Sequence, residues 1–133
     1  MSAYANWAGA YSTDGGLIVM SSRDRETAGT LGLETVFHEA MHQWDDDFQK
    51  KIARVAAESK VPVPRTLSHS LIFFTAGFVV AAECPGHRPY ADVNRVWERG
   101  LFSRDRIAAE WTPYLEGRRT MDQALGRLLA AAP

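Results

Sequence analysis

Hydrophobic residues fall along this chain in two rhythms. Near the N-terminus, "YANWAGAY" and "GLIVMSS" are short runs rich in aromatic and β-branched residues, separated by "STDGG", a cluster of turn formers containing Asp-Gly. Runs of this kind around such a turn predict a β-hairpin. From about Leu31 the step changes to three and four: Leu33, Val36, Phe37, Ala40, Met41 and Trp44 make one apolar stripe along a helix. That stripe predicts a helix embedded in a core. "DDDFQKKIARVAAESK" continues with Phe48, Ile52, Val55 and Ala56 in phase, and Asp45, Asp46 and Asp47 can cap a second helix after a bend whose position the pattern leaves open.

Pro62 and Pro64 bias the residues before them away from helix, so "VPVPR" (Val61 to Arg65) reads as an extended linker within the domain. "TLSHSLIFFTAGFVVAAE" then predicts a buried helix with Thr66 or Ser68 as its cap, stopped by the Pro-Gly pair of "CPGHRP". Gly77 in its middle suggests close packing. "YADVNRVWERG", "SRDRIAAEWTPYLEG" and "TMDQALGRLLAAA" are three further, mostly helical stretches, the first two closed by Gly100 and Gly117. The expected architecture is α+β and mainly helical: a small N-terminal hairpin followed by a bundle of helices.

At 133 residues the chain has room for one domain, residues 1–133, with a single core. Fifteen Lys and Arg against sixteen Asp and Glu give a formal charge of -1, so no basic field points to nucleic acid or an anionic membrane. The most apolar run, "LIFFTAGFVVAA", is shorter than the roughly twenty residues a membrane span needs. "MSAYANWAGAYST" lacks a basic segment followed by a continuous apolar core, and so does not read as a secretory signal. The single cysteine, Cys84, beside an apolar run, is expected to be a buried, inert thiol. Trp7, Trp44, Trp97 and Trp111 read as packing residues. Oligomeric state and compartment stay open.

The chemistry concentrates in "HEAMH", residues 38–42. A helix turns about 100° per residue, so His38 and His42 leave one face a single turn apart and can hold one metal ion together. Glu39, one step round, can lie beside the metal's open position and take a proton from bound water. In these residues the chain resembles the zincin metallopeptidases. The resemblance implies zinc as cofactor, His38 and His42 as ligands, Glu39 as general base and a peptide or protein as substrate. It also implies a β-strand ahead of the motif helix whose edge bonds an extended peptide, and "NWAGAYSTDGGLIVMSS" can supply one. Only about thirty residues precede the motif helix, fewer than the larger sheet and backing helix typical of that family, so the chain reads as a minimal or trimmed member.

A catalytic zinc site commonly has three protein ligands and one water. The metzincin pattern needs glycine at 45 and histidine at 48; Asp45 and Phe48 stand there, excluding that subclass. His69, a polar residue at the start of the apolar helix, is the first candidate for third ligand. Glu83, a glutamate on a following helix in the gluzincin manner, is its rival. Asp46, with Asp45, is a candidate to accept the free N–H of a ligand imidazole. Tyr90 and His87 in "GHRPYAD" are candidates to hold the developing oxyanion if that loop folds back over the metal, Tyr90 as the donor, and Arg88 can bind a substrate carboxylate. The leading expectation is a zinc metallopeptidase. The alternatives are a metallohydrolase of a non-peptide amide or ester, and a non-catalytic domain whose zinc is closed by a fourth ligand such as His87 or Cys84.

Overall fold

Three-residue strands at Ala10–Ser12 (β1) and Ile18–Met20 (β2) pair antiparallel, Tyr11 opposite Val19, in a computed structural model that describes residues 9–13, 15–21 and 24–130. The ladder closes with Ser21 N–H on Gly9 C=O at one end and Thr13 N–H on Leu17 C=O at the other. The turn is therefore tighter than the sequence pattern suggests, with Ser12 inside a strand. The expected strand residues 4–8 and 22, Trp7 among them, and Asp14 of the turn lie outside the described residues.

A 3-10 turn at Arg25–Thr27 leads into α1 (Gly29–Met41). Gly32 is required there, because a Cβ at that position would lie 2.3 Å from the Thr27 carbonyl oxygen. The bend falls at a 3-10 turn, His42–Trp44, and α2 (Asp45–Ser59) carries Asp45, Asp46 and Asp47 in its first turn. Three carboxylates there favour the helix through the partial positive charge of its N-terminus, although no side chain makes a cap hydrogen bond. After the extended Val61–Pro64 stretch, α3 (Leu67–Glu83) starts behind Thr66, whose side chain likewise makes no cap bond.

"YADVNRVWERG" does not form one helix. A single short turn, α4 (Tyr90–Val93), stops at Asn94, and Arg95 in the left-handed region (φ 53°) starts a 3-10 turn, Val96–Arg99. Asp92 holds this break together by accepting from Trp97 Nε1 at 2.8 Å and from both Nε and an Nη of Arg104 at 2.7 and 2.8 Å. Ser103 caps α5 (Arg104–Leu115), its Oγ accepting from Arg106 N–H, and α6 (Met121–Ala130) closes the described chain.

The main core lies between α2, α3, α5 and α6: Ile52, Val55, Leu67, Leu71, Ile107, Trp111, Leu125, Leu128 and Leu129 are buried against one another. No α1 residue belongs to this cluster. The stripe is instead turned outward: Leu33, Val36 and Phe37 on α1 are 40–42% exposed and Trp44, in the 3-10 turn after it, 64%. What α1 buries is Gly32, Glu34, His38 and Glu39. The expectation of an apolar inner face is thus reversed, because periodicity marks two opposite faces of a helix and is silent about which one meets the protein. Trp111 is buried and Trp97 packs, partly buried, against the core cluster, as a packing role requires, whereas Trp44 is exposed. Cys84 is half-buried rather than buried. Among the described residues no helix is long and apolar enough to cross a membrane.

This inversion gives a direct contrast. Trp111→Ala should cost about 3–5 kcal/mol by opening a cavity in the core, while Trp44→Ala should shift stability by no more than about 0.5 kcal/mol. Urea unfolding of the two variants measures both, and comparable losses would contradict the outward orientation of the apolar stripe at Trp44.

Candidate metal centre

His38 stands on the inner face of α1, His42 follows four residues later at the start of the 3-10 turn that ends it, and His69 comes to them from the first turn of α3. His38 Nε2 lies 3.2 Å from His42 Nε2 and 3.2 Å from His69 Nε2. All three ligand atoms are within 4.8 Å of one another. Two nitrogens each about 2.0–2.1 Å from one tetrahedral ion sit about 3.3 Å apart, so this spacing suits a shared metal. The three converging nitrogens have one another as partners among the described residues, a poor mutual arrangement, and a cation would answer all three lone pairs at once.

The surroundings keep the rings in ligand form. Burial first, and then the neighbouring His42 and His69, lower the His38 pKa to about 3. Burial, with His42 close by, also pushes His69 below the ordinary imidazole value. His42 Nδ1–H donates to Asp45 Oδ2 at 2.7 Å, which fixes that tautomer and leaves Nε2 as the lone-pair nitrogen. Asp45 therefore makes the carboxylate–imidazole contact, and Asp46 lines the cleft beside it without one. The Phe73 ring packs against His38 and His69, with centroids 4.1 and 4.7 Å away.

Glu39 reaches toward the strands. Bonded pairs at Gly9/Ser21 and Thr13/Leu17 make Tyr11/Val19 the bonded pair between them, so Ala10 and Ser12 turn their backbone groups to the outer edge of β1. There the Ser12 N–H and hydroxyl both donate to the Glu39 carboxylate. Burial nevertheless raises Glu39 above the usual carboxylate range, the neighbouring His42 and then the two Ser12 bonds opposing that rise. Only 8% of Glu39 is accessible.

These groups share one cleft of about 890 Å³, walled by β1 on one side and by α1, Phe73 and Tyr90 on the other. A second cleft, about 780 Å³, begins at His42, Asp45 and His69 and runs along Val63, Pro64, Arg65 and Lys50. The imidazole cluster thus sits where two open grooves meet.

Of the residues named from sequence, His38, Glu39, His42, His69 and Tyr90 all line the first cleft. Glu83 does not approach it: fourteen residues beyond His69 on the same helix, it is displaced by about 21 Å along the axis and is exposed. Arg88 is exposed, and His87 does not line the cleft but forms a buried pair with Glu34, which does, Nε2 to Oε2 at 2.7 Å. Neither His87 nor Cys84 belongs to the ligand group found among the described residues. Sequence reasoning passed over Ser12, Glu34 and Phe73. Glu34 was accessible to it, since it precedes His38 by four residues and shares the His38/His42 face. Ser12 was not, because its role depends on strand register.

Comparison with protein-family models, curated proteins and solved structures finds no match to this chain.

Two outcomes follow from this geometry. Zinc titration should show one site, and His69→Ala should lose most of its affinity while Glu83→Ala keeps it; equal affinities would contradict the three-histidine grouping. In metal-free protein, His38 resists protonation down to about pH 3, while an unfolded histidine titrates near 6.5. Protons then bind the unfolded chain preferentially, so this group's penalty is absent above about pH 6.5 and grows as pH falls toward 3. The raised Glu34 and Glu39 act in the opposite sense. Comparison with His38→Asn isolates the histidine: moving from about pH 7.5 to about pH 5.5 in chelator should destabilise the wild type more than the variant. A larger loss in the variant would contradict it.

Proposed function

We propose that this protein is a zinc-dependent metallopeptidase of zincin type, with Glu39 as general base. The observation that carries the reading is the convergence of His38, His42 and His69 on one point while Glu39, on the same helix, borders the same cleft. Three imidazoles with room left for a water match the ligand count of catalytic rather than structural zinc. His38, His42 and His69 would hold the zinc, which would supply Lewis acidity and make water activation possible near neutral pH.

The chain's own groups do the rest. Glu39, raised by burial, accepts the proton of the attacking water on its carboxylate and passes it to the leaving nitrogen. Ser12 orients that carboxylate by its two hydrogen bonds. Asp45 holds the proton on His42 Nδ1, so the opposite nitrogen stays a ligand. Tyr90, whose ring stacks on Phe73 at 6.3 Å and 10°, is the donor to the developing oxyanion from the cleft wall.

The outer edge of β1 favours a peptide over a small amide or ester as substrate. The Ser12 N–H on this edge is held by Glu39, but the Ala10 N–H and the Ala10 and Ser12 carbonyls also lie on it, and an extended peptide can pair with these as a third strand with its scissile bond carried toward the histidines. The second cleft gives the departing half of such a chain a way out.

Glu39→Gln tests the reading in a peptide-library digest. Zinc affinity should persist while hydrolysis falls by about 10²–10⁴-fold, the contribution of a positioned general base. Undiminished hydrolysis in Glu39→Gln, or no peptide cleavage by zinc-loaded wild type, would overturn it.

A further inference from the structure

Glu34 is the most completely buried carboxylate among the described residues, 1% exposed, and no step proposed above uses it. It sits on α1 one turn ahead of His38, and burial raises it above the usual carboxylate range. Its Oε2 accepts two hydrogen bonds from one loop: from His87 Nε2–H at 2.7 Å and from the Tyr90 backbone N–H at 2.8 Å. The other nitrogen of the His87 ring, Nδ1, pairs with Thr30 Oγ1 at 3.0 Å, so α1 grips that ring at both ends. The Tyr90 N–H is one of the first amides of α4, which has no partner within its own helix, and the carboxylate supplies one.

The fit is close on the other side as well. A Cβ on Gly77 would stand 2.7 Å from Pro89 Cβ and 3.1 Å from Glu34 Oε1, so the glycine leaves the notch that loop and carboxylate fill together. Oε1 has no hydrogen-bond partner among the described residues. A carboxylate buried half-satisfied costs free energy that an apolar side chain of that size would not. Its placement is explained by the two N–H groups it holds, and both belong to the segment that delivers Tyr90 to the cleft. Glu34 lies outside the group of converging ligand atoms, so it does not hold the metal itself.

We propose that Glu34 is a positioning residue: together with His87 it clamps the 85–90 loop onto α1 and so fixes the Tyr90 ring on the wall of the metal cleft. The chain of contact runs from Glu34 through the Tyr90 backbone to its ring, from that ring to Phe73, and from Phe73 to His38 and His69. The clamp is independent of the reaction; its consequence for catalysis rests on the hydrolase reading.

Amide hydrogen exchange on the cobalt-loaded protein tests the clamp without any activity. In Glu34→Ala, the amides of residues 86–88 and of Tyr90 should exchange about tenfold faster or more, while α3 keeps its protection. Cobalt affinity, read from the visible absorption of the ion, should stay within about threefold of wild type, well short of the roughly 10–100-fold loss expected when the support of a metal ligand is removed. Glu34→Gln, which keeps an acceptor oxygen, should restore the loop's protection. Should Glu34→Ala fail to fold, His87→Ala serves in its place with the same expected pattern. For peptide hydrolysis, Glu34→Ala should lower kcat more than it raises KM, and combining it with Tyr90→Phe should add little beyond Tyr90→Phe alone. Unchanged exchange at these amides, a cobalt affinity reduced by more than about tenfold, or full additivity with Tyr90→Phe would overturn the proposal. If the wild type cleaves no peptide, the hydrolase reading fails, and exchange and cobalt affinity still decide the clamp.

Discussion

Helix α1 is held to the molecule by its polar face, and the candidate site exists because of that constraint. An ordinary amphipathic helix docks through apolar area, which is non-directional and tolerates small rotations. Here the main core is built by α2, α3, α5 and α6 without α1. The helix meets α3 and the 85–90 loop through His38 against His69 and Glu34 against His87. Hydrogen bonds and ligand geometry are directional, so they fix rotation and translation together. A metal shared between α1 and α3 would add a bond across this junction, making metal affinity part of the stability of the fold.

The same arrangement sorts the titratable groups. Burial keeps His38 neutral well below its ordinary pKa and lifts Glu39 above its own, so the former remains a lone-pair donor and the latter a readier proton acceptor. Ser12 ties Glu39 to the strand edge, so the base, the imidazole cluster and the backbone groups of β1 border one cleft. The orientation of α1 leaves Leu33, Val36, Phe37 and Trp44 on the outside, where the sequence pattern called for a core.

Much of this was legible in the sequence, and the failures have physical causes. The spacing of His38, Glu39 and His42 carries its own geometry, because a helix repeats every 3.6 residues whatever it packs against. His69 was found by incongruity, a polar residue opening an apolar helix. The hairpin and the helices after it followed from turn residues and period, giving the small-sheet, mainly helical architecture that the structure has. The inward face of α1 was misjudged because hydrophobic periodicity assumes that apolar means buried, and that assumption lapses where polar groups satisfy one another. Residues 90–99 are mostly helical, as their pattern implies, but the break at Asn94 and Arg95 is not visible there because Asp92, Trp97 and Arg104 meet only in space. His87 looked like a loop residue free to bind substrate because its partner, Glu34, lies fifty-three residues away in sequence.

The most direct test of the central claim is diffraction from crystals grown with zinc, with data collected on both sides of the zinc absorption edge. The account predicts one anomalous peak about 2.0–2.1 Å from Nε2 of His38, His42 and His69, with a fourth position open toward Glu39. No peak among the three rings, or one completed by a fourth protein ligand, would contradict it.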